Sequence, residues 1–330
     1  MQKILIIRFS SIGDIVLTSP VIRCIKKQLP DAVMHFLTKA SFAQILLNNP
    51  FVDKVISFES DLQTVIEELK MENYDFVVDL HHNLRSFRVK TALGKSSASF
   101  NKLNFEKWLL VNLKVNRLPK THIVDRYFET IKQLNVFYDG AGLDFYIPKK
   151  DEIDLNTLPD PWCRGYIAFV IGAKHFTKKM PDHLIIDCIN HMKLPVVLLG
   201  GKDDSKSGNL IAEKSGKYAY NACGKFNLSQ SASLVRQARL LITHDTGLMH
   251  IAAAKQQRII SLWGNTVPDF GMYPFLPDHS GKSVMIQNTT ISCRPCSKIG
   301  FDECPKKHFK CMNDLNINNI ISVAKEWWST

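Results

Sequence analysis

Asp14 is the first residue of this chain whose position suggests chemistry. It ends the run Arg8-x-Ser10-Ser11-x-Gly13-Asp14, directly after an apolar stretch at 4–7 and at the start of a helix-like segment reaching Pro20. In open α/β sheets, ligands bind at the carboxyl edge of the strands. A carboxylate at that junction is placed to take a proton from a bound substrate.

Two turns in the second half have a different chemistry. Gly172-Ala-Lys-His-Phe-Thr177-Lys178-Lys179-Met-Pro181 combines small residues, a hydroxyl and cations ahead of a helix that Pro181 would open. His244-Asp245-Thr246-Gly247-Leu-Met-His250 repeats the order of strand, turn and helix, with Asp245 or Thr246 as the cap and Gly247 allowing close backbone approach. Free N–H groups and the helix dipole make such turns seats for a diphosphate. Either turn alone is equally well an ordinary capped connection. A third turn, Gly200-Gly201-Lys-Asp203-Asp204, offers carboxylates that would meet ribose hydroxyls or simply cap a helix.

Familiar alternatives are missing. No G-x-G-x-x-G follows the first strand, so the dinucleotide fingerprint is unsupported. Gly-Lys-Ser occurs at 94–96 and 281–283, but Val89 and Leu276 stand where a P-loop needs glycine. Asp245-Thr246-Gly247 occurs once, whereas an aspartic protease needs two copies. No cluster of metal-chelating carboxylates is evident, so a departing diphosphate would be stabilised by protein groups.

These residues need a frame. Strands are expected at 4–7, 33–37, 54–58 and 76–80, with helix-like intervals at 21–29, 42–47 and 62–71. A polar, proline-punctuated stretch at 148–161 reads as a linker. Beyond it, strands are expected at 166–171, 195–199, 240–243 and 258–262. Helices are expected around 183–191, 209–214, 228–239 and 247–254. Alternation of this kind builds parallel sheets through right-handed crossovers. The expected fold class is therefore α/β, with two Rossmann-like doubly wound domains facing across a cleft. The first domain spans 1–155 and the second 156–330, with the last helix a candidate to pack back on the first.

Composition agrees with a folded enzyme. At 330 residues the chain suits two domains, and 45% hydrophobic with 22% charged residues excludes a disordered chain. No apolar run is long enough to span a bilayer. Polar residues interrupt the N-terminal apolar run, so no signal peptide is read and a cytoplasmic location is expected. The net charge is +11, and residues 81–126 alone carry ten Lys or Arg against Glu106 and Asp125. That stretch, interleaved with Phe87, Phe100, Phe105 and Trp108, would attract an anionic partner or an acidic membrane face. Of eight cysteines, Cys24, Cys163, Cys188 and Cys223 are scattered. Cys293, Cys296, Cys304 and Cys311 form C-x2-C-x7-C-x6-C beside His308. That group admits structural zinc, reduced packing thiols or disulfides.

Several motifs together resemble glycosyltransferase family 9, the ADP-heptose:lipopolysaccharide heptosyltransferases. They are Arg8-x-Ser10-x-x-Gly13-Asp14 with Thr18 and Pro20, Asp79-Leu with Arg85-Ser86, and Gly172-Ala with Thr177-Lys178 and Pro181. Asp245-Thr-Gly-x-x-His250 and Trp263-Gly-Asn-Thr266-x-Pro268 complete the set. The resemblance runs nearly the full length and implies a GT-B fold and transfer from an ADP-sugar by inverting direct displacement. It implies Asp14 as general base and Lys178 with Thr177 on the diphosphate, with Lys178 catalytic as well as donor-binding. Asp245, Thr246, Gly247, His250 and Thr266 would complete the donor site with Asp203 and Asp204. Arg8, Ser10, Ser11, Gly13, Arg85, Arg88 and Arg126 would face an anionic, lipid-linked saccharide acceptor at the inner face of the cytoplasmic membrane.

On this reading no cofactor is required, zinc at the cysteines remaining open, and no specific nucleic acid is expected as a partner. Met180 and His244 depart from the family pattern in ways that bear on sugar preference. Two other classes stay open from the residues. A nucleic-acid-binding protein would use the basic stretch with a C-terminal zinc module, and a nucleotide-sugar epimerase would share the fold and the donor site.

Overall fold

The computed structural model describes residues 2–277 and 282–330, so Gly281 of the second Gly-Lys-Ser run lies outside the described residues. The chain divides into two compact units. Unit 1 comprises Met1–Leu103 and Thr121–Tyr146, and unit 2 comprises Asn104–Lys120 and Ile147–Thr330. This differs from the expected break after residue 155, because a strap at 104–120 leaves unit 1 in sequence and packs with unit 2.

Unit 1 is built on five parallel strands: β1 (Lys3–Ile7), β2 (Val33–Lys39), β3 (Lys54–Phe58), β4 (Phe76–Asp79) and β5 (Ser96–Ser99). Their order is β3-β2-β1-β4-β5. Ile4 to Ile7 are buried, as a strand covered on both faces requires. The helix Leu62–Met71 is capped by Asp61, which accepts from the Gln63 and Thr64 amides. The helix Leu84–Leu93 starts from Asn83 and ends at Gly94 with φ +60°, a left-handed position that suits glycine. β5 escaped the sequence reading because Ser-Ser-Ala-Ser offers no apolar alternation.

Unit 2 has six parallel strands: β6 (Ile167–Val170), β7 (Val196–Leu199), β8 (Ala219–Asn221), β9 (Leu240–His244), β10 (Ile259–Trp263) and β11 (Ser283–Gln287). They are ordered β11-β10-β9-β6-β7-β8. β8 and β11 sit at the two edges and were not expected; one has three residues and the other is only half-buried. The helix Ile317–Ser329 buries Ile320 and Ala324 in the core of unit 2.

The expected linker is also ordered. Asp151 accepts from Asn227 at 2.9 Å, the Ile153 amide donates to Ser233 at 3.0 Å, and Glu152 pairs with Arg236 at 2.6 Å. It is tied to the Leu228–Gln237 helix of unit 2 through side chains that carry no periodic signal.

In both sheets the strand order reverses beside the first strand of the unit, between β1 and β4 and between β6 and β9. The crevice at such a switch point is where doubly wound sheets bind ligands. The turn after β1 carries Asp14. Those after β6 and β9 carry Lys178 and Asp245.

Candidate active site

In unit 1 the turn after β1 is organised by Arg8. This buried guanidinium donates to the Ser10 carbonyl at 2.9 Å and to the Leu80 carbonyl, and it pairs with Asp14. One buried cation thus ties the ends of β1 and β4 to the candidate base. Ser11 precedes the short helix Ile12–Val16 and donates to the second Asp14 oxygen from its hydroxyl (2.7 Å) and its amide (3.0 Å). Gly13 is buried beside them, and the Ser10–Ser11 peptide is cis.

His81 follows β4 and packs against Phe9, the rings tilted by 51° with centroids 4.7 Å apart. Burial, then the Arg8 charge, pushes its pKa down to about 4, so the ring is neutral near pH 7. The phenol of Tyr127 is buried without a hydrogen-bond partner. The proposed acceptor arginines are not equivalent. Arg85 and Arg88 are exposed on the helix Leu84–Leu93, whereas Arg126 is buried. Arg126 therefore keeps its charge largely inside the unit. Lys90 is likewise spent inside the unit, on buried Asp79 at 3.1 Å.

In unit 2 the two predicted anion turns meet. Lys178 Nζ lies 2.6 Å from Asp245 Oδ2 and 3.3 Å from the Asp245 carbonyl, and the Thr266 hydroxyl donates to the same carboxylate oxygen at 3.0 Å. The ammonium has three protons, and two oxygens of Asp245 occupy two directions. The helix Gly247–Ala254 starts beside this pair without a side-chain cap, because Asp245 faces Lys178 and the Thr246 hydroxyl pairs with Thr243 at 3.2 Å. Its first N–H groups have no intrahelical acceptor. His250 is buried one turn along the same helix. The arrangement offers an anion one cation and a positive helix end.

Other candidates are engaged locally. The Thr177 hydroxyl accepts from the Phe301 amide at 2.8 Å and donates to the Phe301 carbonyl at 3.1 Å, so it anchors the turn rather than lying open to a phosphate. Asp204 pairs with Lys179 at 2.6 Å and accepts from the Gly201 amide at 2.9 Å, which favours the capping reading. Asp203 is exposed. His244, an expected departure from pattern, is buried; its Nε2 accepts from the Met180 amide at 2.9 Å.

Arg294 was missed as a site residue. Its guanidinium is buried and donates to carbonyls of Trp263 (3.1 Å), Gly264 and Thr266 (3.0 Å), bracing the turn that holds Thr266. It sits inside a cysteine motif, where no periodicity or charge pattern marks a residue that supports a distant turn. Its burial also removes it from any nucleic-acid surface.

Cys293, Cys296, Cys304 and Cys311 are free thiols. Burial pushes the Cys296 thiol up to about 12 and the Cys311 thiol up to about 11. Cys293 Sγ lies 3.8 Å from His308 Nε2. Among the described residues, no group of three or more His, Cys, Asp or Glu side chains is placed to hold a metal ion.

The model of "Glycosyltransferase family 9 (heptosyltransferase)" matches residues 62–306. The chain is 24% identical to lipooligosaccharide heptosyltransferase 2 of Haemophilus influenzae, covering 95% of this chain and 99% of that protein. It is 29% identical to lipopolysaccharide heptosyltransferase 1 of Campylobacter coli, covering 80% and 84%. Among solved structures, the family 9 glycosyltransferase of Veillonella parvula superposes with a TM-score of 0.77 at 20% identity, covering 99% and 97%. The E. coli heptosyltransferase WaaC with ADP superposes with a TM-score of 0.69 at 19% identity, covering 99% and 100%. This likeness shows a shared fold, the GT-B class.

Proposed function

From the premise that this chain belongs to glycosyltransferase family 9 and is a glycosyltransferase, we propose that it transfers a heptose from ADP-heptose to the lipopolysaccharide inner core. The relatives' names support the sugar and the acceptor class. The observation that carries the donor half is the Lys178–Asp245–Thr266 cluster at the β6/β9 switch point, beside an uncapped helix N-terminus.

The reaction is one displacement. The acceptor hydroxyl loses its proton to the Asp14 carboxylate, and its oxygen attacks the anomeric carbon. The bond from that carbon to the diphosphate oxygen breaks with inversion, and ADP leaves with the electron pair. Arg8 and Ser11 fix the Asp14 carboxylate, so little reorganisation accompanies proton transfer. Lys178 and the Gly247 helix end take up the charge that grows on the diphosphate. A lipid-linked acceptor calls for an enzyme that works against a membrane, and the reading sets it in the cytoplasm, peripheral on the membrane's inner face.

Calorimetric titration with ADP and a turnover assay test this together. Lys178→Ala should weaken ADP binding about tenfold, the order expected for one charge-assisted contact. Asp14→Asn should lower turnover by at least ~10² while leaving ADP affinity unchanged. Retained turnover in Asp14→Asn would remove the base assignment, and a chain indifferent to ADP would remove the donor assignment.

A further inference from the structure

The strap at 104–120 carries both buried and exposed large apolar side chains. It runs as the helix Asn104–Trp108 and continues as a wider-pitched turn, Leu109–Leu113. Its inner face packs Leu110 on Val267 and Phe270 of unit 2. Its outer face leaves Phe105 65% exposed, Trp108 48% and Leu113 57%. Large apolar side chains grouped on a surface mark a binding face more often than a chance of folding.

The face continues onto the cysteine loop. Lys114 Nζ donates to the Cys293 and Pro295 carbonyls at 2.9 and 2.7 Å, and Lys298 Nζ reaches Asn104 at 3.4 Å. The loop adds Ile299, 63% exposed, and Phe301, 40% exposed. Arg117 and Lys120 on the strap and Lys298, Lys306, Lys307 and Lys310 on the loop are exposed cations on the same two segments, outnumbering exposed Asp302 and Glu303 and half-buried Glu106.

We propose that this face of unit 2 docks on the surface of an anionic phospholipid bilayer. Aromatic and aliphatic side chains that enter the headgroup boundary, ringed by Lys and Arg, are what an interfacial element needs. Among the described residues no helix is long and apolar enough to cross a membrane, which fits a surface-lying contact. Charge decides against a second copy as the occupant: two such faces would bring the same six cations together, on chains of net charge +11. The inference deepens the function proposed above and rests on it for the acceptor being lipid-linked. The physical surface is independent of the donor site.

The test is sedimentation of the full chain with vesicles of phosphatidylglycerol and phosphatidylcholine in equal parts, and with phosphatidylcholine alone. The wild type should sediment with the anionic vesicles and be released by salt. The Phe105→Ser/Trp108→Ser variant should lose at least about tenfold in partitioning while keeping wild-type ADP affinity by calorimetry. Should that variant not fold, Leu113→Ser/Ile299→Ser carries the same expectation. Wild type that stays in the supernatant, or a folded variant that sediments as well as wild type, overturns the proposal. So does light scattering that finds a dimer in the wild type and a monomer in the variant, since a second copy would then cover the face. Loss of ADP binding in the wild type bears on the donor reading alone, so the two failures are distinguishable.

Discussion

At the scale of single residues, the catalytic candidates were legible because their chemistry forces unusual types onto strand ends. Asp14 and Asp245 each interrupt an apolar pattern where a core would need none, and Lys178 stands in a cation-rich turn ahead of Pro181. Arg294 and Asp79 were not legible as supports, because what makes them structural is the set of backbone groups around them. Asp79 accepts from the His81 and His82 amides and from Ser86, and no sequence spacing announces those partners. The buried histidines carry a consequence for pH. Burial pushes His244 down to about 3 and His81 to about 4. The unfolded chain takes up a proton at each near pH 6.5, so below that pH it binds more protons than the folded chain, and stability falls as pH falls. Between pH 6.5 and 5, where Asp and Glu stay mostly ionised, each such histidine should cost up to about 1.4 kcal/mol per pH unit. Urea unfolding at several pH values should show the slope, and His244→Asn should reduce it by about one proton. An unchanged slope would show that the ring is protonated in the folded chain.

At the scale of elements, the apolar strands of both sheets were legible from their runs, while β5, β8 and β11 were not. Edge strands bury less and so need no apolar signature. The three loops around the β6 end were legible as turns, but not their close approach. A Cβ added at Gly172 would fall 2.2 Å from Asp204 Oδ2, and one at Gly200 would fall 2.8 Å from Asp204 Cβ. Gly172 follows β6 and Gly200 follows β7, so two turns close on one carboxylate that caps the third residue run and holds Lys179. Gly172→Ala should therefore displace Asp204 and cost about 1–3 kcal/mol, the usual penalty for overpacking. Gly216→Ala is the contrast: its Cβ meets nothing within 4 Å, and its cost would come from its positive φ of 54° alone. Nearly equal loss in urea denaturation for Asp204→Ala and for Asp204→Ala/Gly172→Ala would support the collision, because the second change then meets only the Gly200 Cα, at 3.3 Å. A further full loss on adding Gly172→Ala would refute it.

At the scale of the whole molecule, the two-sheet plan was legible from the repeated alternation of strand and helix, but the route of the chain was not. The strap enters unit 2 from the middle of unit 1's sequence, and it is tied there by the apolar contact of Leu110 with Val267 and Phe270 and by hydrogen bonds from Lys114 and Asn116. A fragment starting at Ile147 would expose those two residues, so the units are not separable by a single cut. They should still be distinguishable by ligand. Lys178, Asp245, Thr266 and the Gly247 helix end all belong to unit 2, as does the bracing Arg294. A ligand that binds only folded unit 2 stabilises it by RT ln(1 + [L]/Kd), about 2.7 kcal/mol at a hundredfold excess over Kd. For a unit of about 200 residues that is a rise of roughly 5–10 °C. Scanning calorimetry with ADP should therefore move one transition upward and leave the other in place, and Lys178→Ala should shrink the shift while Asp14→Asn leaves it intact. If Asp14→Asn abolished the shift, ADP would be held by groups of unit 1, and the assignment of the nucleotide to the β6/β9 switch point would fall.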